Sequence, residues 1–292
     1  MTVSSAPTAR ALPLSAVVVR RVPRKVPAVG IVLAGTYLAL VVAAALVPDV
    51  LAPYDPYAVN VANAFSAPAW THPLGTDENG RDILSRLIYG ARTSLQLGFG
   101  AVAIALITGT VVGALAGLGA RWLDALLMRT MDVGLAFPEL LLALVVIAIL
   151  GGGTTNALIA IGIASIPSYA RLVRAQTLII RRSPYIESAR ALGLSEWAVV
   201  TRHVLPNAVR PVLVLATIGV GTATVAGAAL SFLGLGTPPP NPEWGSMLST
   251  ARNFLDQSGW YGAFPGLAIT GLVVSTTVIG RWLQRRSEGR TA

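Results

Sequence analysis

Residues 28–47 read A-V-G-I-V-L-A-G-T-Y-L-A-L-V-V-A-A-A-L-V, twenty positions without a charge. As a helix rising about 1.5 Å per residue, the run is about 30 Å long, the thickness of a bilayer's hydrocarbon core. Further apolar runs follow at 95–118, 135–150, 157–169, 209–230 and 264–279. No water reaches a backbone N–H or C=O inside lipid, so only helices and closed barrels cross it. These runs exceed the strands of about 9–11 residues that build a barrel. The expected class is an all-α membrane protein with six transmembrane helices. Charge usage agrees, because only 12% of residues are charged against about 25% in a soluble domain. The first run is longer than the apolar stretch of about 7–15 residues in a signal peptide, so we expect it to be retained.

The charges that do occur are distributed unevenly. With the N-terminus placed inside, Arg10, Arg20, Arg21, Arg24 and Lys25 precede the first run. Arg121 and Arg129, the basic residues between 171 and 210, and those from Arg281 onward share that side. Of the 22 Lys and Arg residues, only Arg81, Arg86, Arg92 and Arg252 fall on the other. Positive charge collects on the cytoplasmic side of membrane proteins, so both termini are expected there. The net charge of +9 then reports topology, and nucleic acid is not an expected partner. There is no cysteine and there are only two histidines, His72 and His203, which argues against a thiolate or histidine metal centre.

Between the first two runs, His72 to Leu95 reads H-P-L-G-T-D-E-N-G-R-D-I-L-S-R-L-I-Y-G-A-R-T-S-L. Residues 82–89 have amphipathic spacing and are expected to lie as a helix at the membrane surface. Asp77, Glu78 and Asp82 read as loop and cap acids, because the calcium-loop spacing is missing. Gly109, Gly113 and Gly117 recur every four residues, a pattern that flattens one helix face for close packing. Residues 121–129 read as a short inner turn. Asp132 and Glu139, seven apart, are expected on one helix face. Trp244, Trp260 and Tyr261 sit where an interfacial aromatic belt belongs.

One polar island stands out. Residues 183–206 read S-P-Y-I-E-S-A-R-A-L-G-L-S-E-W-A-V-V-T-R-H-V-L-P. Ser183 is a candidate N-cap with Pro184 in the first helical position. Gly193 suits the left-handed residue that ends a helix. Ser195 is a candidate cap for a second helix stopping at Pro206. Two helices this short cannot bury their own apolar side chains, so a partner surface is expected.

Glu187, Ala189, Gly193 and Leu205-Pro206 stand in the spacing of the EAA loop of ABC importer permeases, and H-V-L-P-N from His203 resembles the ending of its oligopeptide/dipeptide/nickel branch. Ser188 replaces the first alanine of the pattern, and His203 stands where the general pattern has Ile. H-P-L-G-T-D-x-x-G-R-D from His72 and S-F-L-G-L-G-T-P-P-P-N-P-E-W-G from Ser231 resemble two further motifs of that branch. The chain is thus similar to the second permease subunit of a binding-protein-dependent importer.

The resemblance implies a type I ABC importer permease (MetI-like) fold with cytoplasmic coupling helices. It divides the chain into a cytoplasmic tail 1–27, a first transmembrane helix 28–47, an extracytoplasmic connection 48–92, a permease core 93–283 and a cytoplasmic tail 284–292. The implied partners are a homologous second permease, cytoplasmic ABC ATPase subunits, an extracytoplasmic substrate-binding protein and the bilayer. Glu187, Ala189, Leu192, Gly193, Leu194, Trp197, His203, Leu205 and Pro206 are the expected ATPase-coupling residues. No phosphate loop of the form G-x-x-x-x-G-K-S/T occurs, and Lys25 is the only lysine. The chain is therefore expected to hold no cofactor and not to be an enzyme, with ATP and Mg²⁺ bound by the partner ATPase. Peptides are the expected cargo, with nickel or another small solute as the alternative. A stand-alone channel or secondary transporter, or a membrane scaffold, is the rival of another class.

Overall fold

A computed structural model describes residues 28–287. The expected tail 1–27 and the end of the C-terminal tail, 288–292, lie outside the described residues. Every regular element among the described residues is helical. The main helices are α1 (Ala28–Leu46), α2 (Ile83–Leu118), α3 (Arg121–Leu135), α4 (Glu139–Leu150), α5 (Thr154–Arg181), α6 (Pro184–Ala191), α7 (Glu196–Val199), α8 (Leu205–Phe232), α9 (Trp244–Ala251) and α10 (Gly259–Ser287).

Five helical stretches are long and apolar enough to cross a bilayer: α1, α2, α5, α8 with its lead-in from Glu196, and α10. A sixth crossing exists if α3 and α4, bent by 95° at their junction, count as one broken span. The expected third span is thus shorter than anticipated. α4 has 12 residues, about 18 Å at the helical rise and too short to cross alone. Pro138 removes an N–H at this boundary and forces the bend. The expected inner turn at 121–129 is instead the first half of α3.

The second crossing starts earlier than expected. Residues 83–89 are not a separate surface helix but the opening turns of the 36-residue α2. Asp82 caps it, accepting from Ser85 N at 2.8 Å. Ile83, Ser85 and Arg86 are buried under the neighbouring loops, so protein rather than lipid headgroups covers these turns.

α2 and α5 form the centre of the bundle. A Cβ on Gly109 would stand 2.6 Å from Tyr169 Cβ, one on Gly113 2.7 Å from Val173 Cβ, and one on Gly117 2.8 Å from Thr177 Cβ. Any side chain there would force the helices apart. Around this seam, Leu97, Ala101, Ile147, Ile161, Val212 and Leu230 join α2, α4, α5 and α8 in one apolar core. α1 lies outside, resting on α10 through Tyr37, whose hydroxyl donates to Ala268 O at 2.7 Å. Most of its remaining surface is exposed and apolar, as suits a helix facing lipid.

At the end of the bundle carrying α9, Trp244 is 2% exposed. Its Nε1 donates to Leu87 O at 2.9 Å. Tyr261 is also buried and donates to Glu78 Oε2 at 2.6 Å. Neither serves as a lipid-facing anchor, because their polar atoms find partners inside the protein, on Leu87 and Glu78.

Gly113→Leu should lower the unfolding midpoint of the purified protein in detergent, by the roughly 1–3 kcal/mol typical of an overfilled core. Gly35→Leu, where nothing lies within 4 Å of an added Cβ, should leave the midpoint unchanged. Intrinsic-fluorescence melting curves compare the two.

Candidate functional site

The 183–206 island forms a folded elbow between α5 and α8. Pro184 occupies the first turn of α6. Ser183 stands at the N-cap without capping by its side chain. Its hydroxyl donates back to Ile180 O at 2.6 Å, so it ties the elbow to the end of α5 instead of closing α6. The cap expected of Ser183 is lost because the nearer carbonyl competes for the same hydroxyl.

Gly193 has φ +85°. Gly193 N donates to Arg190 O at 2.9 Å, and Leu194 N donates to Ala189 O at 3.3 Å. Together these bonds satisfy the last carbonyls of α6 in a Schellman ending. Ser195 caps α7 as expected, accepting from Ala198 N at 3.3 Å. Arg190 grips Glu196 with both arms of its guanidinium, Nε to Oε1 at 2.7 Å and Nη2 to Oε2 at 3.1 Å. That bond holds the Arg190 guanidinium above its ordinary pKa.

Pro206 does not stop the second helix. Residues Val200–Val204 wind as a π turn in which Leu205 N donates to Val200 O. α8 then starts with Pro206 in its first turn, where the missing N–H has no intrahelical role. Asn207 Nδ2 closes the junction on His203 O at 2.7 Å, and the His203 ring meets Tyr185 edge-on at 6.4 Å.

The elbow has an inside and an outside. Ile186, Ala189, Val199 and Val204 are buried against Leu118, Ile180 and Leu194. Leu192 and Trp197 point away, 82% and 77% exposed. Glu187 and Pro206 are also exposed, and His203 and Leu205 are half-buried. Of the apolar residues expected to meet a partner, Leu194 and Ala189 are turned inward. The spacing alone missed Tyr185, Asn207 and the Arg190–Glu196 pair. Residues 190 and 196 meet only because the glycine bend folds α6 back on α7.

Asp132 and Glu139 do not share a helix face, because the bend at Pro138 separates them. Asp132 pairs with Arg171, and Glu139 accepts from the Ser165 hydroxyl. Asp124 accepts from Arg174 Nη2 at 2.6 Å. These acids link α3 and α4 to α5. At the opposite end, Asp77 accepts from Arg81 Nε at 2.6 Å, and Glu78 accepts from Arg81 Nη2 at 2.8 Å. His72 Nδ1 lies 2.9 Å from Asp82 Oδ1. Those acids are committed to cations and caps.

The described residues thus form a multi-span helical bundle with a folded elbow between two of its candidate crossings. The chain belongs to the binding-protein-dependent transport system inner membrane component family, which it matches over residues 109–290. It is 42% identical over 261 residues to the dipeptide transport system permease protein DppC of Alkalihalophilus pseudofirmus, covering 89% of this chain and 84% of that one. It is 41% identical over 259 residues to the glutathione transport system permease protein GsiD of Pectobacterium atrosepticum, covering 87% and 84%. The fold is that of the inward-facing MetNI methionine ABC transporter, with TM-score 0.58 and 20% identity over 70% of this chain and 97% of that one. An amino acid ABC transporter aligns with TM-score 0.53 and 18% identity over 66% and 90%. The protein is thus a multi-pass inner-membrane permease of an ABC importer. It is not itself catalytic, and it works with an ATPase that binds the ATP and with a binding protein.

Ile186→Ala should cost about 2–5 kcal/mol locally, and hydrogen exchange should show faster amide exchange through 186–199 with unchanged protection in α2. Leu192→Ala, at an exposed position, should leave both regions as they are.

Proposed function

We propose that this chain is the second permease subunit of an ATP-driven importer of di- and oligopeptides. A homologous second permease completes the translocation path, and the 183–206 elbow receives the ATPase's work on the cytoplasmic side. The observation that carries this reading is the pair Leu192 and Trp197. Both are exposed beside a bend whose hydrogen bonds are internally satisfied, on an elbow continuous with two crossings. Exposed large apolar groups on a rigid support are what a partner groove selects. Glu187, exposed on α6, supplies a charged contact at the rim of that groove. Gly193 permits the bend, Ala189 and Leu194 hold its inner side, and His203, Leu205 and Pro206 form the passage into α8.

The asymmetry of arginines along the chain supports the cytoplasmic side for the elbow and for both termini. The same asymmetry supports residues 48–92 lying outside, and the domain reading that goes with it has 28–47 as the first crossing and a permease core over 93–283. Peptide cargo is supported by the names of the relatives, which carry dipeptide, di/tripeptide and glutathione. Movement of the elbow would shift α5 and α8 together and alternate access between the two faces. Selection among solutes rests with the binding protein.

Trp197→Ala should weaken recovery of the ATPase with the permease by about 30-fold, the equivalent of a 2 kcal/mol hot spot. Gly193→Val meets no atoms within 4 Å, so its effect is backbone strain of about 1–3 kcal/mol. Membrane insertion should persist while ATP-driven uptake of a radiolabelled dipeptide is lost, and Gly193→Asn, which tolerates positive φ, should retain it. Normal uptake and normal ATPase recovery in both Trp197→Ala and Gly193→Val would refute the elbow's role. Absence of dipeptide uptake by the complete wild-type system would refute the cargo.

A further inference from the structure

α5 has 28 residues, and a helix needs about 20 to cross the hydrocarbon core. Wherever that core is placed within α5, residues 162–173 lie inside it. The broken α3–α4 span meets this central stretch. A Cβ on Gly134, just before the 95° bend, would stand 2.8 Å from Pro167 Cγ. Glu139, in the first turn of α4, accepts from the Ser165 hydroxyl. Asp132 pairs with Arg171 inside the same stretch.

The chain does not cover these groups itself. The side chains of Arg171 and Asp132 are 55% and 58% exposed. Glu139 and Ser168 are exposed, and so are Ala136, Phe137 and Pro138, which make the bend. Non-helical backbone is tolerated at hydrocarbon depth only where it is buried in protein or lines a water-filled cavity. Ionisable side chains at that depth obey the same restriction. Two independent features, an open bend and exposed charges, therefore exclude lipid from this face. The charges are not equivalent. Asp132 and Arg171 neutralise each other, whereas Glu139 forms no ion pair among the described residues. Docking this face dry against another protein would strip water from all three, a cost that one internal pair does not offset. A wet surface leaves them hydrated.

We propose that this face lines the translocation path and that Glu139 receives the α-ammonium group of the peptide in transit. The inference rests on the importer reading above and adds a residue that touches the cargo. Glu139 stands at the start of α4, where the helix dipole favours an anion. With one hydroxyl as its donor, the carboxylate keeps acceptor sites for another. The α-ammonium is the cation that every unblocked peptide carries, whatever its side chains. A contact to it serves all such peptides alike and leaves the choice among them to the binding protein.

The test uses the complete permease–ATPase complex in lipid nanodiscs, with Ser168→Cys as a reporter in a chain that otherwise has no cysteine. Ser168 lies one turn beyond Ser165 and inside the central stretch, so only a wet path brings a charged reagent to it. Labelling of this chain is followed by mass, without binding protein, with and without ATP. The trimethylammonium form of ethyl methanethiosulfonate should label the reporter, while Leu40→Cys, 64% exposed on the lipid side of α1, should stay unlabelled. Adding Glu139→Gln should cut the rate ratio of the trimethylammonium to the sulfonate reagent about 10-fold, since the carboxylate attracts one and repels the other. Free dialanine should slow labelling, N-acetyl-dialanine should not, and Glu139→Gln should erase that difference. In proteoliposomes supplied with binding protein and ATP, Glu139→Gln should lower dialanine uptake about 10-fold, as loss of one hydrogen bond between charged groups does, and Glu139→Asp should retain most of it. A reporter as unreactive as Leu40→Cys in both nucleotide states would mean a dry interface or lipid, and would overturn the path. Labelling that ignores the reagent's charge, or equal slowing by both peptides, would overturn the ammonium contact. These two readings need only Ser168→Cys, so they decide the matter even if Glu139→Gln does not assemble. If the complete wild-type system takes up no dialanine, the cargo reading itself falls. Uptake that is intact but blind to residue 139 removes only the role of Glu139.

Discussion

The architecture depends on how closely α2 approaches α5. Three glycines one turn apart let the α2 backbone sit against Tyr169, Val173 and Thr177 of α5, at distances no side chain allows. Apolar burial cannot supply this contact in a bilayer, since lipid tails are as apolar as leucine. What remains is dispersion between surfaces that fit. The seam also decides where the elbow sits. Gly117 and Thr177 form its last contact, and Leu118 and Ile180 lie immediately beyond. Those two side chains support Ile186, Val199 and Val204. The elbow is seated on a platform made by the seam.

A different principle holds the other end. There the chain buries Asp77, Arg81, Asp82, Arg86 and Glu243. Charges removed from water are costly unless each meets an opposite charge or several donors. Asp82 meets His72 and the start of α2, while Glu243 caps α9 through Gly245 N at 2.7 Å and Ser246 N at 2.8 Å. Ser94 Oγ donates to Glu243 at 3.2 Å, which ties α9 to α2. Extended, proline-broken segments are thereby stapled onto helix ends without a strand ladder or a disulfide.

What the amino-acid order disclosed, and what it hid, follows from the range of the forces involved. The glycine seam and the left-handed Gly193 are local properties, and each has its expected place in the fold. Pairings across many residues were not legible. Trp244 and Tyr261 look like belt residues until Leu87 and Glu78, more than 150 positions earlier, take their polar atoms. Asp132 and Glu139 look like one face until Pro138 turns the chain. Ser183 looks like a cap until Ile180 O claims its hydroxyl. Within the elbow, spacing picked out the bend but not which apolar groups face out, because Leu194 sits one residue past the glycine and the Schellman ending turns it inward against Ala189.

That inward turn has a mechanical consequence. With Leu194 and Ala189 packed inside and Arg190 clasping Glu196 across the bend, α6 and α7 cannot hinge freely about Gly193. A displacement applied at Leu192 or Trp197 is therefore not absorbed where it enters. It passes toward α5 through packed side chains, since Ile186 and Val199 share their cluster with Ile180. It reaches α8 through backbone, since α7, the π turn and α8 form one winding without a break. Of those two routes the π turn is the more compliant, because its hydrogen bonds span one residue more than an α-helix's and are seldom sustained for longer than a turn. Under the coupling proposed above, the same push would shift α5 and α8 together and leave α8 some freedom to turn about its entry point. That added freedom at the entry to α8 would let two crossings that shift together contribute unequally as one face opens and the other closes.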